Sequence, residues 1–382
     1  MKKFNKTTGN NNIIFLKLIK NDYFEKNRIN GELLHKDKVV ANIVNDELEV
    51  LNEEMLPIYF KQNGDLRSWL ENRCIDTDRE NSRLLKNILE IEQTNQISTV
   101  LYAHAHTLTD NYWIRLSTEP NLKYDDIDFK NDILFDIAIF GKLPSHDITL
   151  NSEYFCTPEL TLGGSFEKGW TLKNNDWFLI KTGENLNNFA EIIASDLCKY
   201  FNFNAVEYFK FNSSSVCCKN FTNNLEFDFE PMFDFVGDDD DLELSLNYIE
   251  NINKSFIPDF LDMIFLDALL LNPDRHTNNY GLLKNSNTGE YIGLAPIFDN
   301  NLALFATKCN NINLDTGNSS QIKNFYLPIL EKYSYKIPNL IYTDLKEIVK
   351  AAYYQFNPEG FSIKFTTDFI WNKYNFIKDN LK

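Results

Sequence analysis

The stretch LLLNPDRHTNNYGLL, residues 269–283, combines side chains that handle protons and metal ions. It carries Asp274, His276 and Asn279 within six residues, after one apolar run and before another. Carboxylates and imidazoles accept protons, and carboxylate and amide oxygens are ligands for hard cations. A polar loop with a turn-forming Asn pair would have the same composition. The stretch therefore predicts either a catalytic loop or an ordinary loop.

A predicted β-hairpin brings another carboxylate to this loop. Leu282, Leu283 and the run YIGLAPIF flank KNSNTGE, whose residues are typical of a turn. Asn279 stands at the entry of the first strand and Asp299 at the exit of the second. Because the open ends of an antiparallel hairpin lie side by side, we expect Asp274, Asn279 and Asp299 to surround one point. Such oxygen ligands suit Mg²⁺, which is usually completed by water and phosphate oxygens.

A Gly-rich segment precedes this region. Residues 157–183, TPELTLGGSFEKGWTLKNNDWFLIKTG, read as three strands separated by a Gly-rich turn and an Asn-Asn-Asp turn. Gly163 and Gly164 would let backbone N–H groups approach phosphate oxygens, although a lone Gly-Gly pair is more often a simple turn. Lys181 follows four large apolar residues and can neutralise phosphate charge. We expect Glu191, near the start of the next helix, to hold this lysine, although each of the two alone is more often a surface residue.

Four motifs in order resemble those of the HipA-like protein kinases, the toxin kinases of bacterial toxin–antitoxin modules. GGSFEK is similar to the family's Gly-rich loop, and FLIK to the strand that carries its nucleotide-binding lysine. NPDRHTNNYG has the D-x-H-x-x-N spacing of the catalytic loop, and LAPIFD is similar to the segment that presents the second metal-binding Asp. The same D-R-H-x-x-N order occurs in phosphoinositide lipid kinases, which share the wider fold. The resemblance covers residues 157–305 and, more loosely, the helical tail.

This resemblance implies a site that uses Mg²⁺ and ATP. Asp274 would accept or orient the proton of the attacking hydroxyl, while Asn279 and Asp299 would hold Mg²⁺. His276 is expected to brace the loop by hydrogen bonds. Arg275 would either contact a phosphate or pair with an acidic neighbour.

The resemblance also assigns the nucleotide-binding residues. Lys181 would bind the α- and β-phosphates of ATP, steadied by Glu191. The turn formed by Gly163, Gly164 and Ser165 would cover the triphosphate.

The predicted fold is α+β. It is a two-lobed protein-kinase-like fold, with a small β-rich lobe and a mostly helical large lobe, preceded by a smaller α+β domain. The expected parts are a disordered tail over 1–12, the N-terminal domain over 13–150, the small lobe over 151–235 and the large lobe over 236–382. NNLEFDFEPMF, residues 223–233, is the candidate for the adenine-binding hinge.

Local patterns predict some elements of the N-terminal domain. Short alternating runs such as IIFLKLI and KVVANIV predict small strands. TDRE has the form of a capping box, which predicts Thr77 as a helix N-cap. DILFDIAIFG, residues 132–141, is aromatic and β-branched and predicts a strand or loop.

Two further clusters favour structural interpretations. His104 and His106 form an H-x-H, for which a structural role is favoured over a metal site. GDDDDLE, residues 237–243, lacks the alternating ligands and mid-loop glycine of a Ca²⁺-binding EF-hand loop. We therefore expect a solvated acidic loop there.

Composition limits the partners. The chain has 382 residues, is 43% hydrophobic and carries a net charge of −17. Because phosphate backbones and anionic membranes repel such a protein, neither is expected to bind it. Six cysteines without a CxxC pair predict reduced thiols in the cytoplasm, and the N-terminal stretch lacks the apolar core of a signal peptide. A serine hydrolase is disfavoured because no G-x-S-x-G elbow occurs.

The sequence thus predicts a HipA-like serine/threonine protein kinase with an unidentified protein substrate and an antitoxin as partner. Family kinases autophosphorylate a serine in the Gly-rich loop, and the matching position here is Thr161, with Ser165 as the neighbouring candidate. Two alternatives stay open. One is a lipid or small-molecule kinase on the same fold, and the other is a non-catalytic nucleotide-binding regulator.

Overall fold

The chain divides into two compact units in the computed structural model. Unit 1 contains Met1–Lys181, Thr222–Glu230 and Lys284–Glu290, and unit 2 contains Thr182–Phe221, Pro231–Leu283 and Tyr291–Lys382. The residues that the structure describes are 23–62, 64–91, 95–142, 156–239, 241–304 and 321–381. The predicted tail over 1–12 and the IIFLKLI run lie outside them. Helices and antiparallel strands occur in both units, which confirms the predicted α+β class.

Unit 1 contains a four-stranded antiparallel sheet with the order β3-β2-β1-β4. Its strands are β1 (Gly31–His35), β2 (Lys38–Val44), β3 (Glu47–Val50) and β4 (Tyr112–Leu116). Leu33 of β1 pairs with Ala41 on β2 and with Ile114 on β4, and all three side chains are buried. Cross-strand partners share a face of the sheet, so this face forms part of the core. The strand predicted from KVVANIV is confirmed.

Unit 1 also contains short helices. They are α1 (Tyr23–Lys26), α2 (Ile58–Lys61), α3 (Leu66–Asn72), α4 (Glu80–Ile88), α5 (Gln96–Tyr102), α6 (Tyr124–Ile127) and α7 (Phe135–Phe140), with a 3₁₀ turn at Pro158–Thr161. Trp69 of α3, Leu85 of α4 and Val100 of α5 belong to the same buried cluster as Leu33. Asp65 caps α3 by accepting a hydrogen bond from the N–H of Ser68 at 3.0 Å.

Three local predictions in unit 1 are wrong. The helix after TDRE begins at Glu80 with Arg79 as its N-cap, and not at Thr77. Residues 132–141 contain helix α7 and no strand, because short apolar runs do not distinguish the two. TPEL, predicted as a strand, forms the 3₁₀ turn, in which Pro158 occupies the first position and so needs no N–H partner.

The predicted hairpin after the Gly-rich turn is confirmed. It consists of β5 (Lys168–Lys173) and β6 (Asp176–Thr182), paired antiparallel from Lys168 opposite Lys181 to Lys173 opposite Asp176. Asn174 and Asn175 connect the strands with φ of +53° and +65°. Two consecutive left-handed residues are typical of the type I′ turn that suits a two-residue hairpin.

Unit 2 is mostly helical. Its helices are α8 (Asn185–Phe201), α9 (Phe233–Val236), α10 (Leu242–Ile252), α11 (Ile257–Leu270), α12 (Leu327–Lys332), α13 (Tyr342–Phe356) and α14 (Ile363–Asn380), with a 3₁₀ turn at Lys254–Phe256 and a π-helical turn at Ile322–Tyr326. The hairpin of β7 (Tyr208–Asn212) and β8 (Ser215–Lys219) follows α8. The predicted helical tail is confirmed from Gln321 onward. Among the helices described, none is long and apolar enough to cross a membrane.

The hairpin that was predicted to position Asp299 is also present. Strands β10 (Gly281–Asn285) and β11 (Tyr291–Leu294) are neighbours, and β9 (Phe227–Pro231) lies on the other side of β10. At the open end, the N–H of Ala295 donates to the carbonyl of Gly281 at 2.9 Å. The chain therefore enters β10 from Asn279 and leaves β11 toward Asp299 at the same end.

Candidate active site

The loop after α11 is folded back on itself by its own backbone. Leu271 has a φ of +48°, in the left-handed region, and reverses the chain at the end of the helix. Oδ1 of Asn272 accepts a hydrogen bond from the N–H of Asp274 at 3.1 Å. The carbonyl of Asp274 accepts from the N–H of His276 at 2.9 Å and from Nδ2 of Asn279 at 2.8 Å. The structure thus brings Asp274, His276 and Asn279 together in one turn.

In this turn the Asn279 side chain leaves one oxygen available for a cation, whereas the His276 side chain binds the loop backbone. Asn279 is buried, and its Nδ2 is engaged by the carbonyl of Asp274. Its Oδ1 is therefore the side-chain atom that can serve a cation. Nδ1 of His276 accepts a hydrogen bond from the N–H of Asn278 at 3.3 Å, so the imidazole braces the loop backbone.

Arg275 forms a buried ion pair with Asp267 of α11. Nε of the guanidinium donates to Oδ2 at 2.8 Å and Nη2 donates to Oδ1 at 3.0 Å. The Arg275 and Asp267 side chains are only 4% and 2% exposed. Two parallel bonds of this kind fix the direction of the guanidinium as well as its position. Of the two roles expected for Arg275, pairing with an acidic neighbour is the one observed.

The same guanidinium joins the Asp274 loop to the segment that carries Asp299. Arg275 donates to the carbonyl oxygens of Asn279 at 2.9 Å and Phe298 at 2.7 Å. It also donates to Oδ1 of Asn300 at 2.7 Å. Phe298 and Asn300 flank Asp299 directly, so one side chain holds both parts of the predicted Mg²⁺ site.

The charge of Arg275 is balanced by carboxylates around it. Burial by itself would lower the pKa of the guanidinium, but Asp267, Asp299 and Glu191 raise it above its ordinary value. Arg275 therefore stays charged, and its field extends to Asp299 and Glu191.

The Asp299 segment is held on its other side by α8. Asp299 has a φ of +59°, a left-handed conformation that Asp tolerates better than most residues. The N–H of Asn300 donates to Oε2 of Glu191 at 2.5 Å, and Nδ2 of Asn187 donates to the carbonyl of Asn301 at 3.0 Å. Asn187 and Glu191 are one helical turn apart and face the same way. They anchor the backbone on both sides of Asn300.

The Gly-rich segment of unit 1 is partly exposed and partly tied down. Gly163, Gly164 and Ser165 are exposed, and Gly164 has a φ of +90°, which side-chain-bearing residues rarely adopt. Thr161 is buried, and its hydroxyl donates to the carbonyl of His106 at 2.7 Å. Of the two candidate phosphoacceptors, Ser165 is therefore the accessible one.

Lys181 lies near the end of β6 with its side chain 6% exposed. It pairs across the hairpin with Lys168.

Two solved structures resemble this chain. CtkA, a proinflammatory kinase of Helicobacter pylori, aligns over 56% of this chain and 90% of its own length, with 20% identity and a TM-score of 0.36. HipA of the Shewanella oneidensis MR-1 toxin–antitoxin system, solved with HipB and operator DNA, aligns over 91% and 95%, with 11% identity and a TM-score of 0.49. No protein-family model matches the sequence, and no curated protein matches it.

Sequence reasoning missed three side chains that support the site. They are Asp267, Asn272 and Asn300, which hold Arg275 or Asp274 in place. The sequence does contain a signal for Asp267, which is the charged residue within the otherwise apolar end of α11. A carboxylate at a buried helical position needs a partner, and Arg275 is the nearest cation along the chain.

The H-x-H pair is buried in unit 1, and the acidic segment leads into a helix of unit 2. His104 and His106 are buried, and burial lowers the pKa of His104 to about 4. Within the described ranges, no group of three or more His, Cys, Asp or Glu side chains could hold a metal. In the acidic segment, Asp241 caps α10 by accepting from the N–H of Glu243 at 2.8 Å. Residue 240 lies outside the described residues.

Proposed function

We propose that this chain is a Mg²⁺- and ATP-dependent serine/threonine protein kinase of the HipA type, acting in the cytoplasm. The observation that carries the proposal is the bridge formed by Arg275. It links the backbone of the loop that contains Asp274 and Asn279 to the backbone beside Asp299. A kinase needs a proton-handling carboxylate and metal ligands at fixed separations, since its catalysis is mainly positioning and charge neutralisation.

The donor set fits Mg²⁺. Asn279 supplies an amide oxygen and Asp299 a carboxylate, which are hard ligands of the kind that Mg²⁺ binds together with water and phosphate oxygens. Such a site needs only one or two protein carboxylates, so it does not require a cage of three acidic or histidine side chains. When bound, the cation would neutralise charge on the β- and γ-phosphates.

Each residue of the chain has a role in the proposed transfer. The carboxylate of Asp274 orients the acceptor hydroxyl and takes its proton as the bond from the acceptor oxygen to the γ-phosphorus forms. The bond between the γ-phosphorus and the bridging oxygen breaks in the same step, and ADP leaves. Lys181 binds the α- and β-phosphates, under the turn of Gly163, Gly164 and Ser165. Glu191, predicted to steady Lys181, also fixes the backbone beside Asp299 through Asn300.

Regulation follows from the resemblance of the motifs. We include autophosphorylation in the Gly-rich segment and an antitoxin-type protein partner in the proposal. The accessible hydroxyl of Ser165 supports it as the first acceptor, whereas Thr161 would have to leave its hydrogen bond to His106.

A small-molecule kinase is the second candidate. A cavity of about 510 Å³ in unit 2 is lined by Arg275, Tyr326 and Ile329. This volume is within the range of small-ligand pockets, roughly 300–1,000 Å³. An isolated metabolite with a hydroxyl group could therefore be the acceptor in place of a protein.

Transfer of label from γ-³²P-ATP separates these functions. Wild type and Asp274→Ala are incubated with Mg²⁺, labelled ATP and a cell extract, and label is measured in protein, lipid and small-molecule fractions. The matched control is Asp238→Ala, which removes an exposed carboxylate of the same unit. We expect labelled protein with wild type and with Asp238→Ala, and no labelled protein with Asp274→Ala. Label in the lipid or metabolite fraction supports the second candidate, and ATP binding without transfer indicates a regulator.

A further inference from the structure

The Gly-rich segment is held by an arginine that lies about eighty residues before it. Nε of Arg79 donates to the carbonyl of Gly164 at 2.6 Å. Nη2 donates to the carbonyls of Leu162 at 2.6 Å and Gly163 at 2.5 Å, and Nη1 makes a longer bond of 3.4 Å to the carbonyl of Lys168. The Arg79 side chain is 2% exposed, whereas Gly163 and Gly164 are exposed. One buried cation thus gathers the carbonyl oxygens of three consecutive residues.

Two further hydrogen bonds join the residues near Arg79 to the Gly-rich segment, and a third holds the segment to His106. The N–H of Ile75 donates to the carbonyl of Leu160 at 2.9 Å. The N–H of Asn81 donates to Oε1 of Glu167 at 3.1 Å, and the hydroxyl of Thr161 donates to the carbonyl of His106. The residues around Arg79 therefore form a fixed base for the segment.

The direction of the carbonyls determines the direction of the neighbouring N–H groups. Across a trans peptide, the C=O of one residue and the N–H of the next point in opposite directions, and the described chain has no cis peptide. With the carbonyls of residues 162–164 directed at Arg79, the N–H groups of Gly163, Gly164 and Ser165 point away from it. The left-handed φ of Gly164 permits this arrangement.

We propose that Arg79 is a positioning residue for phosphate binding, which it serves by holding these carbonyls so that the N–H groups of Gly163, Gly164 and Ser165 face the phosphates of ATP. This inference rests on the proposed function. Without Arg79, the carbonyl oxygens would be free to rotate toward the phosphates and repel them. The proposal also gives the N-terminal part of unit 1 a role, which is to set the shape of the nucleotide loop.

The test compares the binding of Mg·ATP and of adenosine by calorimetry. Arg79→Met should weaken ATP binding at least tenfold and leave adenosine binding within about twofold of wild type, since only the phosphates contact the N–H groups. The ATP affinity of Arg79→Lys should lie between those of wild type and Arg79→Met, because an ammonium group lacks the planar fork that reaches several carbonyls. Arg83→Met is the control, since Arg83 lies on the same helix and is exposed.

Ser165→Pro provides a second variant that leaves Arg79 in place. It removes one of the three N–H groups at an exposed position and should weaken ATP binding while the unfolding midpoint stays unchanged. Equal loss of ATP and adenosine affinity in Arg79→Met would indicate a merely structural role. ATP binding at wild-type strength in both variants overturns the inference alone. A wild-type protein that binds no ATP overturns both the inference and the proposed function.

Discussion

The guanidinium of Arg275 and the carboxylate of Asp267 form two hydrogen bonds, at 2.8 Å and 3.0 Å, where both side chains are almost fully buried. The pair fixes a cation next to the predicted catalytic loop. Because the pair holds the guanidinium in one orientation, Arg275 can also donate to the carbonyls of Asn279 and Phe298, which belong to the two parts of the proposed Mg²⁺ site.

Asp267→Ala should strongly destabilise the protein, because it leaves the guanidinium of Arg275 buried without this partner. Removing one member of a buried ion pair costs about 3–5 kcal/mol. The measurement is the free energy of unfolding from urea denaturation. The control is Glu347→Ala, which removes an exposed ion pair with Lys350 that is worth at most about 1 kcal/mol.

The double variant Asp267→Leu/Arg275→Met separates stability from activity. Replacing both charges with apolar groups should recover part of the lost stability, because no buried charge is left unpaired. Phosphotransfer should stay absent, since nothing then joins the Asn279 and Phe298 backbones. Full activity in the double variant would show that Arg275 does not position the site.

Asp299→Asn and Asp299→Ala should differ in stability but agree in activity. Asn tolerates the left-handed conformation as Asp does, whereas Ala there costs roughly 1–2 kcal/mol. Both variants lose the carboxylate, so both should transfer phosphate at least about a hundredfold more slowly. Unfolding free energies and initial rates are compared. A rate for Asp299→Asn near that of wild type would remove Asp299 from the site.

Glu191→Gln distinguishes the two roles considered for this residue. Gln keeps an oxygen that can accept from the N–H of Asn300, but it has no charge to hold Lys181. If anchoring the Asp299 segment is its main role, Glu191→Gln keeps most activity and Glu191→Ala loses it. If pairing with Lys181 dominates, both variants lose ATP affinity to the same extent. The measurement is the KM for ATP alongside kcat.

Glu119 should make stability fall as pH rises. Burial raises the pKa of its carboxyl from 4.5 to about 8. Because the folded-state pKa lies above the unfolded value, the unfolded chain binds fewer protons between these pH values, so stability declines through that window as pH increases. Glu119→Gln should remove this decline in unfolding free energies measured between pH 5 and pH 8. An identical slope in the variant would contradict the assignment.

Features with local signals could be predicted from the sequence. The turn residues of KNSNTGE predict the hairpin of β10 and β11, and the polar composition after the apolar run predicts the loop after α11. The helical tail was also visible in the sequence. Each of these depends on residues that are close together along the chain.

Features set by distant contacts could not be predicted. The capping-box pattern predicts Thr77 as the N-cap, whereas the helix begins after Arg79. The hydrogen bonds of the Arg79 guanidinium to the Gly-rich segment join residues far apart along the chain, so no local pattern indicates them. The ion pair between Asp267 and Arg275 depends on how α11 is buried, which composition alone does not give. Short apolar runs such as residues 132–141 were ambiguous between helix and strand until packing chose the helix.

In the proposed site, Asn279 and Asp299 bind one Mg²⁺ that is also bound to ATP. The most direct test is a crystal structure of the protein with Mg²⁺ and a non-hydrolysable ATP analogue. The account predicts Oδ1 of Asn279 and a carboxylate oxygen of Asp299 on the same ion, each at about 2.0–2.1 Å, with Asp274 facing the γ-phosphate. An ion held only by nucleotide and water, with the Asp299 carboxylate directed elsewhere, would contradict it.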